Sequence, residues 1–284
     1  MNHAQITTVQ ASRVRRTSAR ATVVERSRAT KRQGARWRAA AIAMTLGCAL
    51  SACGGGGGGS NTPSVVAVPA VPTTPYVILV SGDSIDRGCS IPLNSTCSST
   101  WAYDPALLLQ ADFNKHPEVG PVVVLERAVP GSTFDDIVNG TAPATETFAT
   151  TLAALKPNMA LSNSGVNDEY VGKQKPPQYA SSQLAWVGVA RAANVFPVVI
   201  EPTPICRSDA DNALWTQFVQ TEDATAAANA YPVLKLAAAW ASDPNWCSDY
   251  IDTDFVHLTP AGDLFREAQI FPQLLALVKE QRGL

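Results

Sequence analysis

Short apolar runs rich in β-branched residues recur along this chain, and segments with helical spacing of apolar residues separate them. The runs are Tyr76–Val80, Val122–Leu125, Met159–Ser162, Phe196–Ile200 and Val233–Leu236. Strands that alternate with helices predict a mostly parallel sheet covered by helices on both faces. Ligands of such sheets bind beyond the carboxyl ends of the strands. The residues that directly follow each strand are therefore the first candidates for a functional site.

The helical segments are long enough to cover both faces of a sheet. They are Asp104–Lys115, Thr145–Leu155, Gln178–Ala193, Asn212–Ala230 and Pro260–Lys279. Pro260 suits the first turn of the last helix, where a missing N–H leaves no hydrogen bond unmade. Pro272 lies inside the same segment, and we expect it to kink or divide the helix.

The first 52 residues have the pattern of a secretory signal rather than of a folded domain. Residues 12–38 carry ten Lys and Arg but only one acid, and the apolar run Ala39–Leu50 follows them. The 12 residues of this run are too few to remain as a spanning helix, which needs about 20. Leu50-Ser51-Ala52-Cys53 resembles a bacterial lipobox, whose cysteine is lipidated after cleavage. An ordinary cleaved signal that ends near a cysteine is the alternative.

The chain after the signal divides into a tether and one domain. Six consecutive glycines, Gly54–Gly59, begin a Gly/Pro-rich stretch that cannot form a packed core. We predict a signal peptide over 1–52, a lipidated cysteine and tether over 53–75, and a single domain over 76–284. We expect an exported lipoprotein of the bacterial cell envelope, facing the periplasm or anchored at the surface of the outer membrane.

Removal of the signal makes the chain strongly acidic. The whole chain has 22 Lys and Arg against 24 Asp and Glu, whereas residues 53–284 keep 12 and 23, a net charge of −11. This charge argues against nucleic acid as a partner. It also argues against electrostatic binding to anionic lipids. We expect a monomer that contacts the membrane only through its N-terminal lipid.

Four cysteines remain in the predicted domain, and they are Cys89, Cys97, Cys206 and Cys247. They allow three pairings. We favour Cys89–Cys97 and Cys206–Cys247, because the first two share one loop; four free thiols are the alternative, which an oxidising compartment disfavours. The chain has no C-x-x-C pattern and keeps only His116 and His257 after the signal, which argues against a zinc site. We expect no metal and no other cofactor.

Ser84 directly follows the first predicted strand, in the sequence Gly82-Asp83-Ser84. A serine at that turn presents its hydroxyl above the carboxyl edge of the sheet. The chain contains no G-x-S-x-G, so the turn is not the nucleophile elbow of the α/β-hydrolase fold. An ordinary turn, in which Asp83 and Ser84 bond to nearby backbone, is the alternative, and we expect Asp83 to be structural.

His257 has an aspartate, Asp254, three residues before it. This spacing can place a carboxylate beside one ring nitrogen, which fixes the tautomer and stabilises the imidazolium. The other nitrogen is then free to accept a proton from Ser84. The alternative is a histidine packed at the start of the last helix, with Asp254 merely solvated.

Gly131 and Asn167 follow the second and third predicted strands. The Gly131 N–H and the Asn167 side-chain NH₂ can each donate a hydrogen bond to an oxyanion. The alternatives are a glycine that serves a turn with positive φ and a turn asparagine, with Asp168 capping the next helix.

These four patches resemble, in order and approximate spacing, the sequence blocks of the SGNH (GDSL-type) hydrolase family, and the resemblance covers nearly all of residues 76–284. It implies a flavodoxin-like three-layer α/β/α fold with a mostly parallel five-stranded sheet. It implies Ser84 as the nucleophile, His257 as the base and Asp254 as the carboxylate that orients the base. It also implies an oxyanion hole formed by the Ser84 N–H, the Gly131 N–H and the Asn167 side chain.

Three features depart from the family pattern. The nucleophile block continues into Asp86-Arg87-Gly88-Cys89, which we expect to be an insertion closed by a disulfide. The third block has Ser162-Asn163-Ser164 where family members are commonly apolar. A second cystine near Asp254 is expected to staple the loop that carries this carboxylate. The first and third departures bear on substrate shape, and none of the three removes an expected site residue.

The implied activity is hydrolysis of carboxylic esters, acyl or acetyl, through an acyl-Ser84 intermediate and without a cofactor. Small-molecule or glycan esters are the expected substrates. One alternative is a non-hydrolytic envelope binding module, which does not require a free Ser–His–Asp set. Another is an acyltransferase or an O-acetyl-polysaccharide esterase that uses the same site. Four tryptophans can line a sugar site, although core packing is the simpler expectation for Trp186, Trp215, Trp240 and Trp246.

Overall fold

The described part of the protein is built around a five-stranded sheet. A computed structural model describes residues 70–89 and 103–284. The strands are β1 Tyr76–Val80, β2 Val122–Glu126, β3 Met159–Ser162, β4 Phe196–Ile200 and β5 Val233–Leu234. Each lies within two residues of its predicted bounds, so the five predicted strands are confirmed.

The strands are all parallel and stand in the order β2-β1-β3-β4-β5. The chain adds β2 on one side of β1 and then β3, β4 and β5 on the other side, which is the flavodoxin-like arrangement. The winding reverses between β1 and β3, and the loops that leave their carboxyl ends diverge there to form a crevice. Residues after β1 and after β3 therefore flank the place where such sheets bind ligands.

Helices cover both faces of this sheet. In the described ranges they are α1 Pro105–Phe113, α2 Phe134–Asn139, α3 Phe148–Leu155, α4 Val166–Tyr170, α5 Pro176–Ala192, α6 Asp209–Asn229, α7 Ala237–Ser242, α8 Trp246–Tyr250 and α9 Pro260–Arg282, with a 3₁₀ turn at Pro117–Val119. The five longer helices confirm the predicted ones. The short helices α2, α4, α7 and α8 were not predicted, because one or two turns are too few for apolar periodicity to show.

We expected Pro272 to kink or divide the last helix. Helix α9 runs through Pro272 as one element, so the proline does not divide it, and the kink stays a prediction. Proline removes one hydrogen bond of the helix and crowds the preceding turn. Burial of Ile270, Phe271 and Leu274 on both sides of it places the two halves on one apolar surface. Gln273 adds hydrogen bonds between its side chain and the backbone N–H and carbonyl of Lys235. Tertiary contacts here outweigh the local preference of the chain.

Two hydrophobic clusters flank the sheet, as a three-layer fold requires. Successive strand residues alternate between them, with Ile78 and Val80 in one cluster and Leu79 in the other. Helices α1, α7 and α9 line the first cluster, and α2, α3, α5 and α6 line the second. Trp186 and Trp240 are fully buried in these clusters, which confirms core packing for both.

The structure confirms one of the two expected disulfides. Cys206 and Cys247 are joined, with their Cα atoms 5.6 Å apart. Cys89 is buried and disulfide-bonded. Its expected partner, Cys97, lies outside the described residues, so that pairing stays a prediction.

The predicted signal over 1–52, Cys53 and most of the tether also lie outside the described residues. The lipid anchor and the domain boundaries therefore stay predictions. Between residues 70 and 89 and from 103 onward, no helix is both long and apolar enough to cross a bilayer.

Candidate active site

Ser84 lies on a tight turn above the carboxyl end of β1, over residues 82–89, which we call the Ser84 turn. The Arg87 N–H donates to the Asp83 carbonyl, and the Asp83 carboxylate accepts the Ile85 N–H at 2.8 Å, in keeping with a structural role for Asp83. Glycine is required at position 82, because a Cβ there would overlap the Asp86 carboxylate. Ser84 is 8% exposed, so its hydroxyl lies near the surface without being freely solvated.

His257 joins Ser84 to Asp254 in one chain of hydrogen bonds. Its Nε2 atom lies 2.8 Å from the Ser84 Oγ, and its Nδ1 atom lies 2.5 Å from the Asp254 Oδ2. The Asp254 carboxylate also accepts the backbone N–H groups of Val256 and His257, both at 3.0 Å. Burial raises the pKa of Asp254, but the hydrogen bonds from the His257 ring and from these N–H groups outweigh burial and lower it below its usual value. The carboxylate is thus held in its charged form beside the imidazole.

A short loop over residues 252–257, which we call the His257 loop, carries both Asp254 and His257. Antiparallel pairing of Ile251 with Leu258 closes the loop at its base. The Asp252 N–H donates to the His257 carbonyl at 2.7 Å. This closure holds the Asp254 carboxylate against the His257 ring, as the three-residue spacing in the sequence suggested.

The segment that follows β4 contacts the His257 loop through a backbone hydrogen bond. The Cys206 N–H donates to the Phe255 carbonyl at 2.9 Å. The disulfide from Cys206 to Cys247 links that segment to α8. The expected cystine near Asp254 is therefore present. It joins the segment after β4, which contacts the loop, to α8, which directly precedes the loop.

Hydrogen bonds also connect the loops that follow β1, β2 and β3. The Val129 N–H donates to the Gly82 carbonyl at 2.8 Å, which holds the turn containing Gly131 beside the Ser84 turn. Asp168 lies inside α4 rather than at its N-cap, which Gly165 occupies. The Asp168 carboxylate instead accepts the Phe134 N–H of α2 at 3.2 Å. Burial raises the pKa of Asp168 to about 7, although this hydrogen bond reduces the effect.

Gly131 and Asn167 supply hydrogen-bond donors from the second and third loops. Gly131 has a φ of +79°, which favours glycine. The residue can therefore serve the turn and also offer its N–H as a donor. The Asn167 Nδ2 donates to the Ser132 carbonyl at 3.0 Å, and its second hydrogen is left for another acceptor. Within the described residues, neither the Ser84 N–H nor the Gly131 N–H donates to a protein group.

A buried ion pair that the sequence pattern did not predict supports the Ser84 turn. The Asp86 Oδ1 lies 2.5 Å from a guanidinium nitrogen of Arg266 in α9, and neither side chain is appreciably exposed. The other carboxylate oxygen accepts the Asn163 N–H at 2.7 Å. Burial raises the pKa of Asp86, and the Arg266 charge and the Asn163 hydrogen bond offset only part of this rise. Asp86 therefore ties the Ser84 turn to the residue after β3 and to α9.

Asn163 explains why polar residues follow β3. Its Nδ2 donates to the carbonyls of Ile200 and Glu201, and its Oδ1 accepts the Thr203 hydroxyl. A fully buried amide is thus satisfied, and it joins the ends of β3 and β4.

The position of Arg266 on its helix is a sequence signal that could have indicated a buried ion pair, although our predictions did not use it. Arg266 stands four residues before Ile270 and eight before Leu274, on the apolar face of α9. A charge on such a face indicates a buried partner, since an unpaired buried charge is strongly unfavourable. The identity of that partner is not visible in the sequence.

The four predicted patches therefore meet at the crevice between β1 and β3, and the arrangement has the parts that acyl transfer requires. A hydroxyl faces an imidazole nitrogen, a carboxylate holds the other nitrogen, and backbone and amide donors stand nearby. In the part of the chain with described coordinates, no group of three His, Cys, Asp or Glu side chains is placed to hold a metal ion.

A sequence model of the GDSL-like lipase/acylhydrolase family matches residues 80–263, a range that contains all four patches. The chain therefore belongs to the GDSL-like lipase/acylhydrolase family, and its expected class, an SGNH-type carboxylic ester hydrolase, is confirmed. No curated protein sequence matches the chain.

Solved structures with the same architecture include several enzymes that act on esters. A lipase/acylhydrolase from Enterococcus faecalis has a TM-score of 0.57 and 17% identity, covering 71% of this chain and 96% of that chain. An aryl esterase from M. smegmatis has a TM-score of 0.55 and 16% identity, with coverages of 71% and 99%. A carbohydrate acetylesterase from Sinorhizobium meliloti has a TM-score of 0.54, also with 16% identity and coverages of 71% and 99%. At such identities the likeness establishes the fold.

Proposed function

We propose that this protein is a serine esterase that cleaves acyl or acetyl esters through an acyl-Ser84 intermediate. The observation that carries the proposal is the unbroken hydrogen-bond chain from the Ser84 Oγ through both ring nitrogens of His257 to Asp254. Family membership supports the reaction class, and the fold shared with an aryl esterase and a carbohydrate acetylesterase is consistent with it.

In the first step, the Ser84 Oγ attacks the ester carbonyl carbon while the His257 Nε2 takes the hydroxyl proton. Asp254 stays ionised and stabilises the imidazolium. The oxyanion that forms accepts hydrogen bonds from the Ser84 and Gly131 N–H groups and from the Asn167 amide. Loss of one such donor typically raises the barrier by about 2.7–4 kcal/mol.

Collapse of the tetrahedral intermediate breaks the bond to the alcohol oxygen, and His257 gives its proton to that oxygen. The alcohol leaves and acyl-Ser84 remains. A water molecule then loses a proton to the His257 Nε2 and attacks the acyl carbon. A second collapse returns the proton to Ser84 and frees the acid, so each proton moves between Ser84, His257, substrate and water.

We propose small-molecule or glycan esters as the substrate class. The net charge of −11 on residues 53–284 disfavours polyanionic substrates, because like charges repel at the approach to the site. Neutral esters are not repelled by this charge.

Labelling with a fluorophosphonate tests the proposal, because this probe reacts with an activated serine. The wild-type protein is expected to be labelled, and Ser84→Ala and His257→Ala are expected not to be. Ser81→Ala is a matched control, since Ser81 is a buried serine of the same segment outside the hydrogen-bond chain. Absence of labelling in a folded, disulfide-intact wild type would sink the proposal and favour a binding module.

We further propose that the protein is exported and lipidated on Cys53. The Cys206–Cys247 disulfide supports an oxidising compartment. Bacteria fed an alkyne fatty acid are expected to incorporate it into the wild type and not into Cys53→Ala. Equal incorporation into both proteins would contradict lipidation at this residue.

A further inference from the structure

Phe255, between Asp254 and His257, combines two features that are unfavourable for folding. Its φ of +66° places the backbone in the left-handed region, where a bulky residue is a genuine outlier. Phe255 is 51% exposed, so only about half of its surface is removed from water in compensation. Strained residues of this kind cluster at functional sites, where the surrounding structure holds them in place.

The other strained positions show how unusual this residue is. Four more non-glycine residues with positive φ occur in the described part of the chain, and all are polar or small: Lys156, Lys173, Asn194 and Ala230. Phe255 is the aromatic member of the set, and it is the member that lies in the candidate active site. A glycine or an asparagine at this position would serve the turn with less strain.

Hydrogen bonds on both sides hold the backbone of Phe255 in this conformation. Its N–H donates to the Asp252 carbonyl at 2.8 Å, and its carbonyl accepts the Cys206 N–H at 2.9 Å. The ring is therefore attached to a fixed point of the His257 loop rather than to a freely moving segment.

We propose that Phe255 is a specificity-determining residue that provides an apolar platform for the alcohol part of the ester, and that it favours alcohols bearing an apolar ring. This inference rests on the proposed function of Ser84 and His257. The leaving oxygen must come within hydrogen-bond reach of the His257 Nε2 to be protonated. The alcohol part therefore extends towards the loop that carries Phe255, whereas the carbonyl oxygen points to Gly131 and Asn167.

Two acetate esters that differ only in the alcohol part test this assignment. Benzyl acetate presents an aromatic ring to the platform and ethyl acetate does not. We expect Phe255→Gly and Phe255→Asn to lower kcat/KM for benzyl acetate about 3- to 10-fold, the usual range for one aromatic contact. Ethyl acetate should change far less. Phe255→Trp keeps a ring and should keep the preference for benzyl acetate.

Thermal unfolding separates this role from a structural one. Glycine and asparagine adopt a positive φ readily, so both variants should unfold at the wild-type temperature or above it. Lys156→Gly is the matched control, because Lys156 has a φ of +48° and precedes β3, at the edge of the sheet opposite the site. It should leave the ratio of the two kcat/KM values unchanged.

Two results overturn the inference alone: equal losses for both esters, or no loss for either. In each case the wild type is still labelled by the fluorophosphonate. A wild type that is not labelled overturns the proposed function, and the role of Phe255 falls with it.

Discussion

The two halves of the candidate site are held in place by different means. The Ser84 turn is a continuation of the sheet, joined to the neighbouring loop by backbone hydrogen bonds and to α9 by the buried Asp86–Arg266 pair. The His257 loop lies at the surface, closed by a single antiparallel bridge and supported by a disulfide-linked segment. Burial thus positions Ser84, whereas short-range closure and a covalent link position His257.

The contrast extends to electrostatics. Carboxylates around the Ser84 turn are deeply buried and have raised pKa values, as for Asp86 and Asp168. Asp254, in the His257 loop, has a lowered pKa because its hydrogen bonds outweigh a smaller burial. The parallel sheet therefore tolerates poorly solvated acids beneath Ser84, while the proposed base, His257, requires a neighbouring carboxylate that stays charged.

The largest expected effect tests whether the two halves act as one unit. Ser84→Ala and His257→Ala are each expected to lower kcat about 10⁶-fold, and the double variant should lose no more than either. Asp254→Asn should cost about 10⁴-fold, because the wrong tautomer is then favoured. Steady-state hydrolysis of p-nitrophenyl acetate measures all four. Losses that add in the double variant would show that the halves work independently.

The buried ion pair is expected to matter more for folding than any exposed pair. Asp86→Ala leaves the Arg266 charge buried without its partner and should lower the free energy of unfolding by about 3–5 kcal/mol. Adding Arg266→Met should recover part of this loss. Urea unfolding measures both variants.

The exposed pair of Glu118 with Lys279 provides the control for that experiment. Glu118→Gln should leave the urea midpoint almost unchanged, because water screens the interaction. A similar shift for Asp86→Ala and Glu118→Gln would refute the buried support of the Ser84 turn.

Removal of the disulfide tests the other half. In the chain-entropy model, a cystine that spans 41 residues contributes about 3.9 kcal/mol, so Cys206→Ser with Cys247→Ser should lower stability by up to that amount. Activity should also fall at temperatures where the variant is folded, because the His257 loop loses a support. Unchanged kcat in a folded variant would show that local hydrogen bonds alone position the base.

The smallest expected effect concerns the dependence of stability on pH. The pKa of Asp168 is raised from 3.8 to about 7, so its contribution to stability is present at low pH and is lost as the pH rises between these values. Asp254, with a lowered pKa, contributes stability above its ordinary pKa and loses it as the pH falls. The two halves should thus respond to pH with opposite signs.

Asp168→Asn keeps an acceptor for the Phe134 N–H without the charge. The variant should match the wild type near pH 4 and exceed its stability at pH 8 by at least about 1.4 kcal/mol, the equivalent of one pKa unit. Glu280→Gln, at an exposed position, should leave the pH profile unchanged. An Asp168→Asn variant that is less stable than the wild type at pH 8 would contradict the raised pKa.

What the sequence could predict depends on whether a feature is set by local pattern or by contacts between distant parts of the chain. The strands and the patches after them are local patterns, so Ser84, Gly131 and Asn167 could be placed at strand ends before any coordinates. The spacing of Asp254 and His257 is also local. The partner of Arg266 lies 180 residues away, and only tertiary packing selects it. The continuity of α9 through Pro272 could not be predicted for the same reason, since burial of its neighbours decided the outcome.

Phe255 could not be predicted from either kind of signal. Its residue type disfavours the backbone conformation that the loop closure demands, and the closure depends on Cys206, which is distant in the sequence. Residues that contradict local preference in this way are more readily found in a structure than in a pattern.

The hydrogen bond between Ser84 and His257 spans 173 residues of sequence. During synthesis, Ser84 therefore leaves the ribosome with the first strand, while His257 emerges only after the whole sheet has been translated. A nascent chain interrupted before Asp254 would contain the five strands of the sheet and the serine, yet lack the proposed base. Under the proposed mechanism, activity therefore begins only when the loop that carries His257 closes on the Ser84 turn.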